Sequence, residues 1–139
     1  MPCAPRRSDR HIIPADAASV RALLQRLEDG PALSGLSASE RDCTLLVLAE
    51  AMNNVVEHGY AGGPGWIGLS RGPGGTWRIV DSATPFMEMP SAPMPDQAAE
   101  GGFGWPLIRA LSEEIRLARK RGLNVLTVRI RPDTAGHGQ

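Results

Sequence analysis

Glu50 and Asn54 stand four residues apart in Leu48-Ala49-Glu50-Ala51-Met52-Asn53-Asn54, a stretch with helical spacing. A carboxylate and a carboxamide therefore point the same way, one turn apart. The pair offers a proton acceptor beside an oxygen donor of the kind magnesium favours, which suits phosphoryl transfer. Its other reading is a solvated polar face shared with Asn53, Glu57 and His58. Asp81 ends the apolar run Trp77 to Val80 and precedes the small residues Ser82 and Ala83, so a strand delivers a carboxylate to the rim of a sheet. It reads either as an acceptor for an exocyclic amine such as that of adenine, with small neighbours letting a ring approach, or as an ordinary turn former. Gly101-Gly102-Phe103-Gly104 separates a proline-rich loop from a helix. Glycine amides facing a helix N-terminus can cradle phosphates, and the same glycines can serve as a hinge.

Several elements must hold these residues. Arg10 to Pro14 reads as a strand, and Asp16 stands as an N-cap before Val20, Leu23, Leu24 and Leu27 at helical spacing. Gly30-Pro31 stops that helix. Ser37-Ala38-Ser39-Glu40 is a capping box that opens a second helix, running to about His58 with Gly59 as its stop. Leu45, Leu48, Ala49, Met52 and Val56 form its apolar stripe, and His58 sits where it meets the helix dipole. Strands around Trp66 to Leu69 and Thr76 to Val80 flank a hairpin turn at Gly72-Pro73-Gly74-Gly75. Phe86 to Glu100 carries Pro90, Pro93 and Pro95 and reads as a loop. A short helix starts after Gly104 with Pro106 in its first turn. Strands Glu114 to Ala118 and Asn124 to Ile130 close the chain around the basic turn Arg119-Lys120-Arg121-Gly122. The order predicts an α+β two-layer sandwich, a mixed, mostly antiparallel sheet with helices on one face.

The 139 residues fit a single domain with a core over about 10–131 and frayed ends at 1–8 and 132–139. With 15 basic against 15 acidic residues, the sequence argues against direct nucleic-acid binding, and the basic hairpin reads as a solvated turn. No apolar run suits a membrane span or a secretory leader. Cys3 and Cys43 give neither a disulfide framework nor a zinc site, so a cytoplasmic setting fits. Gly63-Pro64-Gly65-Trp66-Ile67-Gly68 spells a dinucleotide-binding fingerprint, but it follows a helix and enters a strand, the reverse of that motif's context. No Walker A motif or G-x-S-x-G elbow is present, and His11, His58 and His137 lack metal-ligand spacing.

Taken in order, these motifs resemble the Bergerat-type ATP-binding fold of the histidine-kinase-like ATPase superfamily. More closely they resemble the bacterial anti-sigma-factor serine/threonine kinases. Leu48 to Tyr60, with Glu50, Asn54, His58, Gly59 and Tyr60, is similar to that family's S-E-A-x-x-N-A-x-x-H-G-Y box. Val80 to Phe86 resembles its D-x-G-x-P-F box, and Gly101 to Ile108 its G-G-L-G-x-x-L-I box. The resemblance implies Glu50 as general base, Asn54 as ligand of Mg²⁺, Asp81 on the adenine of ATP with Ala83 beside it, and Gly101, Gly102, Phe103 and Gly104 on the phosphates. It also implies that Thr127 supports the adenine-binding aspartate from the last strand. The implied partners are an anti-sigma-factor antagonist, phosphorylated on serine, and a sigma factor, with a homodimer left open. Ala83 in place of glycine, a lid from Met87 to Glu100 without cations, and Pro106 depart from the pattern. They support the alternative of a partner-binding module with weak or no nucleotide binding.

Overall fold

The structure is a computed structural model that describes residues 10–83 and 104–133. Strand β1 (Arg10–Pro14) leads to Asp16, whose Oδ1 accepts the Ser19 amide at 2.7 Å and starts α1 (Ala17–Asp29). That hydrogen bond holds the Asp16 carboxyl below the usual carboxylate range. A 3₁₀ turn at Pro31–Leu33 follows. Helix α2 (Ala38–Asn54) opens on a complete capping box: the Glu40 amide donates to Ser37 Oγ and the Ser37 amide to Glu40 Oε1, each at 3.0 Å. The predicted helix to His58 changes character after Asn54, where Val55–Gly59 forms a π turn closed by the Tyr60 amide on the Val55 carbonyl. Strands β2 (Trp66–Arg71) and β3 (Thr76–Asp81), helix α3 (Gly104–Leu111), then β4 (Ser112–Lys120) and β5 (Leu123–Ile130) complete the order.

The sheet order is β1-β2-β3-β5-β4. Every pairing among the described strands is antiparallel, which corrects the expectation of a mixed sheet. The reason is topological. After α3 the chain enters the edge as β4, and the turn at Arg121-Gly122, both at positive φ, folds β5 back between β4 and β3.

Alternation sends Ile67, Leu69, Trp77, Ile79, Leu126 and Val128 to the helix-covered face, where they meet Leu23, Leu27, Leu48, Met52 and Ile108. Each such side chain contributes about 1.5–3 kcal/mol by leaving water. Helix α2 packs on α1, α3 and β5, so its buried set is broader than a single stripe. Val47, Ala51, Val55 and Asn54 are buried alongside Leu48 and Met52, while the predicted Leu45, Ala49 and Val56 are only partly covered. Beyond β5 the chain is tied back to the start of α2. The Asp133 amide donates to Glu40 Oε2 at 2.8 Å, and Ser37 Oγ donates to Asp133 Oδ2 at 3.1 Å, tying this segment to the α2 cap.

Candidate functional site

The last residue of β3 is Asp81, on the core-facing side of the strand and only 2% exposed. A carboxylate so placed is costly unless its charge is met by donors. Two are present, both on Oδ1: the Ala83 amide at 2.9 Å and Asn124 Nδ2 at 2.8 Å. The first is the turn-forming bond that the sequence allows. Among the described residues no hydrogen bond reaches Oδ2, so one oxygen fixes the carboxylate and the other remains for a ligand donor.

Asn124 is a residue that the motifs did not single out. It pairs with Asp81 across β3 and β5, also donates to the Ala83 carbonyl at 3.3 Å, and accepts Arg119 Nη1 at 2.9 Å. Arg119 Nη1 reaches the Ala83 carbonyl as well, at 3.0 Å. Thr127, assigned this supporting role by resemblance, pairs with Arg78 instead and lies three residues along β5. An odd separation on a strand means opposite faces, so Thr127 is not brought to Asp81. Counting from the hairpin turn would have found Asn124, the first inward-facing residue of β5.

Asn54, the last residue of α2, is 7% exposed, and its Nδ2 is buried with no hydrogen-bond partner among the described residues. Native proteins rarely leave such a group unsatisfied. The solvated-face reading therefore fails for Asn54, while Glu50, one turn earlier, is only partly covered. His58 is exposed, with Nε2 3.9 Å from Glu57 Oε1.

Ala83 is 4% exposed. A Cβ built on Gly59 would stand 3.0 Å from the Ala83 Cβ, so the methyl group is packed against the turn that follows α2. Gly104 opens α3, anchored by buried Trp105 and Ile108, whereas Gly101, Gly102 and Phe103 lie outside the described residues, as does the Met87 to Glu100 lid. A cavity of about 670 Å³ lies at the opposite end of α2, between residues 31–36 and the Gly72–Gly75 turn. It is lined by Arg71, Trp77 and Arg129 among others, and by none of the predicted site residues.

A family model described as "Histidine kinase-like ATPase domain" matches residues 13–130. The chain belongs to this histidine kinase-like ATPase family. The match runs from the end of β1 through β5 and includes Glu50, Asn54, Asp81 and Asn124. A solved structure entitled "The crystal structure of the RsbU and RsbW domains of Rv1364c from Mycobacterium tuberculosis" is 21% identical, with a TM-score of 0.57 over 94% of this chain and 34% of that chain. This ATPase-family chain thus spans about a third of that protein's structure, and the likeness shows a shared α+β fold. No curated protein matches the sequence. No helix among the described residues is long and apolar enough to cross a membrane.

Proposed function

We propose that this protein is an ATP-binding, anti-sigma-factor-like serine/threonine protein kinase that phosphorylates an antagonist protein and alternately sequesters a sigma factor. The observation that carries the nucleotide reading is Asp81, a buried carboxylate with its Oδ1 doubly bonded inside the protein and Oδ2 without a described partner. Such an oxygen suits the exocyclic amine of adenine. The choice of partners rests on the likeness of the Leu48 to Tyr60 segment to the anti-sigma-factor kinases.

Mg²⁺ fits the residues present. Asn54 ends α2, and its side-chain carbonyl Oδ1 is the atom that would hold the ion, while its buried Nδ2, a donor with no partner among the described residues, suits a phosphate oxygen. No group of three or more His, Cys, Asp and Glu side chains among the described residues could hold a metal unaided. Asn54 would therefore share the ion with the phosphates, as magnesium sites built on one or two protein ligands do. When bound, the ion supplies charge neutralisation at the transferring phosphoryl group. Glu50, one helical turn away, accepts the proton of the attacking serine hydroxyl on its carboxylate. Gly104 and the first turn of α3 supply amides toward the phosphates. Ala83, the departure that favoured a non-catalytic module, keeps its methyl group in contact with Gly59.

Calorimetric titration with ATP tests this reading. Binding should require magnesium, weakening on addition of EDTA, and should collapse in Asp81→Asn, which turns an acceptor into a mixed donor and acceptor. Wild-type protein that takes up no adenine nucleotide at millimolar concentration would end the kinase proposal.

A further inference from the structure

We propose that Tyr60 is a positioning residue, a latch that holds the strand end carrying Asp81 at a fixed place relative to the helix end carrying Asn54. The functional consequence rests on the nucleotide reading above.

Tyr60 directly follows the π turn that ends α2. Its hydroxyl donates to the Trp66 carbonyl at 2.9 Å and accepts the Ser82 amide at 3.0 Å, with Ser82 Oγ 3.2 Å away. One phenol therefore joins the end of α2, the start of β2 and the residue after Asp81. The ring lies so close to Gly65 that a Cβ there would overlap its Cε1, and Gly65 is itself held by the Ala15 amide on its carbonyl at 2.9 Å. Glycine at 65 is thus the seat of the ring. Beside the latch, Gly59 packs on the Ala83 methyl group.

The backbone after Asp81 is fixed residue by residue. Tyr60 holds the Ser82 amide, Asp81 Oδ1 holds the Ala83 amide, and Arg119 with Asn124 holds the Ala83 carbonyl. The last two ties come from β3 itself and from the β4–β5 hairpin. Tyr60 supplies the tie to α2, the element that carries Glu50 and Asn54. A ligand bridging Asp81 and Asn54 gains affinity from having those ends already spaced, since ordering them on binding costs free energy. A π turn is the device that makes the reach: its wider coil displaces Tyr60 from the path of a continued α-helix, and such turns are frequent at functional sites.

Tyr60→Phe keeps the ring and removes the bond. Amide hydrogen exchange of the apo protein should show Ser82 losing protection relative to wild type, and ATP affinity should fall about three- to tenfold. The apo melting temperature should drop by only a few degrees. Gly65→Ala, which pushes the ring off its seat, should reproduce the loss of affinity and serves if Tyr60→Phe folds poorly. Wild-type Ser82 protection in Tyr60→Phe would overturn the latch. Lost protection with unchanged ATP affinity would overturn its role in positioning the site. If wild-type protein binds no ATP but Tyr60→Phe still loses Ser82 protection, the latch stands and the nucleotide reading is what fails.

Discussion

Asp81 and Asn54 are polar side chains placed where burial makes them costly, and the protein meets that cost unequally. The carboxylate has donors on one oxygen, while the amide nitrogen of Asn54 has no partner among the described residues. Both residues were legible in the sequence because their spacing and context carry chemistry: an i to i+4 pair on a helix, and an acid closing an apolar strand. Asn124 was not legible from motif likeness, which transfers residue types without saying which strand face they occupy. Ala83 shows the same limit, since only the packing reveals that its methyl group meets Gly59. The roles proposed for Glu50 and Asn54 should separate cleanly in mutants, because a general base acts on the transition state while a ligand to bound nucleotide and metal also acts on the ground state. Glu50→Gln is expected to keep ATP affinity within a few-fold and lose phosphorylation of a co-encoded antagonist by at least about 100-fold. Asn54→Ala should lose both. A Glu50→Gln protein that phosphorylates at the wild-type rate would remove Glu50 from the chemistry.

Local signals fixed the helix starts well, because an N-cap and a capping box are complete within four residues, and the observed bonds at Asp16 and Ser37 to Glu40 are the reciprocal ones the residue types allow. The π turn after Asn54 left no comparable mark, since it depends on tertiary ties such as Tyr60 to Trp66 and Ser82 rather than on composition. The β4–β5 hairpin lies between these cases. Its turn was readable from Arg121-Gly122, yet its use as a brace was not. What looked like a solvated basic tip sends Arg119 to Asn124 and the Ala83 carbonyl. Asn124→Ala should therefore act through two elements at once. It strips Asp81 of one of its inward donors in a site that is 2% exposed, and an unsatisfied buried group of this kind costs about 1–3 kcal/mol. Urea denaturation should register that loss as a lower midpoint with an unchanged slope, and ATP affinity should fall with it. A variant as stable as wild type would mean that the hairpin does not brace Asp81.

At the scale of the molecule, the proposed ligand would join parts of the fold that touch through few polar bonds. One layer contributes α2 with Glu50 and Asn54, and the other contributes the end of β3 with Asp81, braced by β5. Charge offers little guidance here, since 15 basic residues balance 15 acidic ones over the whole chain, and the cavity of about 670 Å³ sits at the far end of α2. What the whole chain does predict is linkage. A nucleotide that binds the folded state and has no affinity for the unfolded chain stabilises the fold by about 2.7 kcal/mol at a hundredfold excess over Kd. For a domain of this length that corresponds to a rise in Tm on the order of 10 °C. Thermal unfolding with saturating ATP and magnesium should show this rise, EDTA should reverse most of it, and Asp81→Asn should show none. GTP supplies the same phosphates without an exocyclic amine at the adenine position, so it separates base recognition from phosphate binding. If Asp81 holds the base, GTP at the same concentration should shift Tm far less than ATP. Equal shifts would mean that the phosphates alone bind, leaving the buried carboxylate as a structural anchor of the strand end.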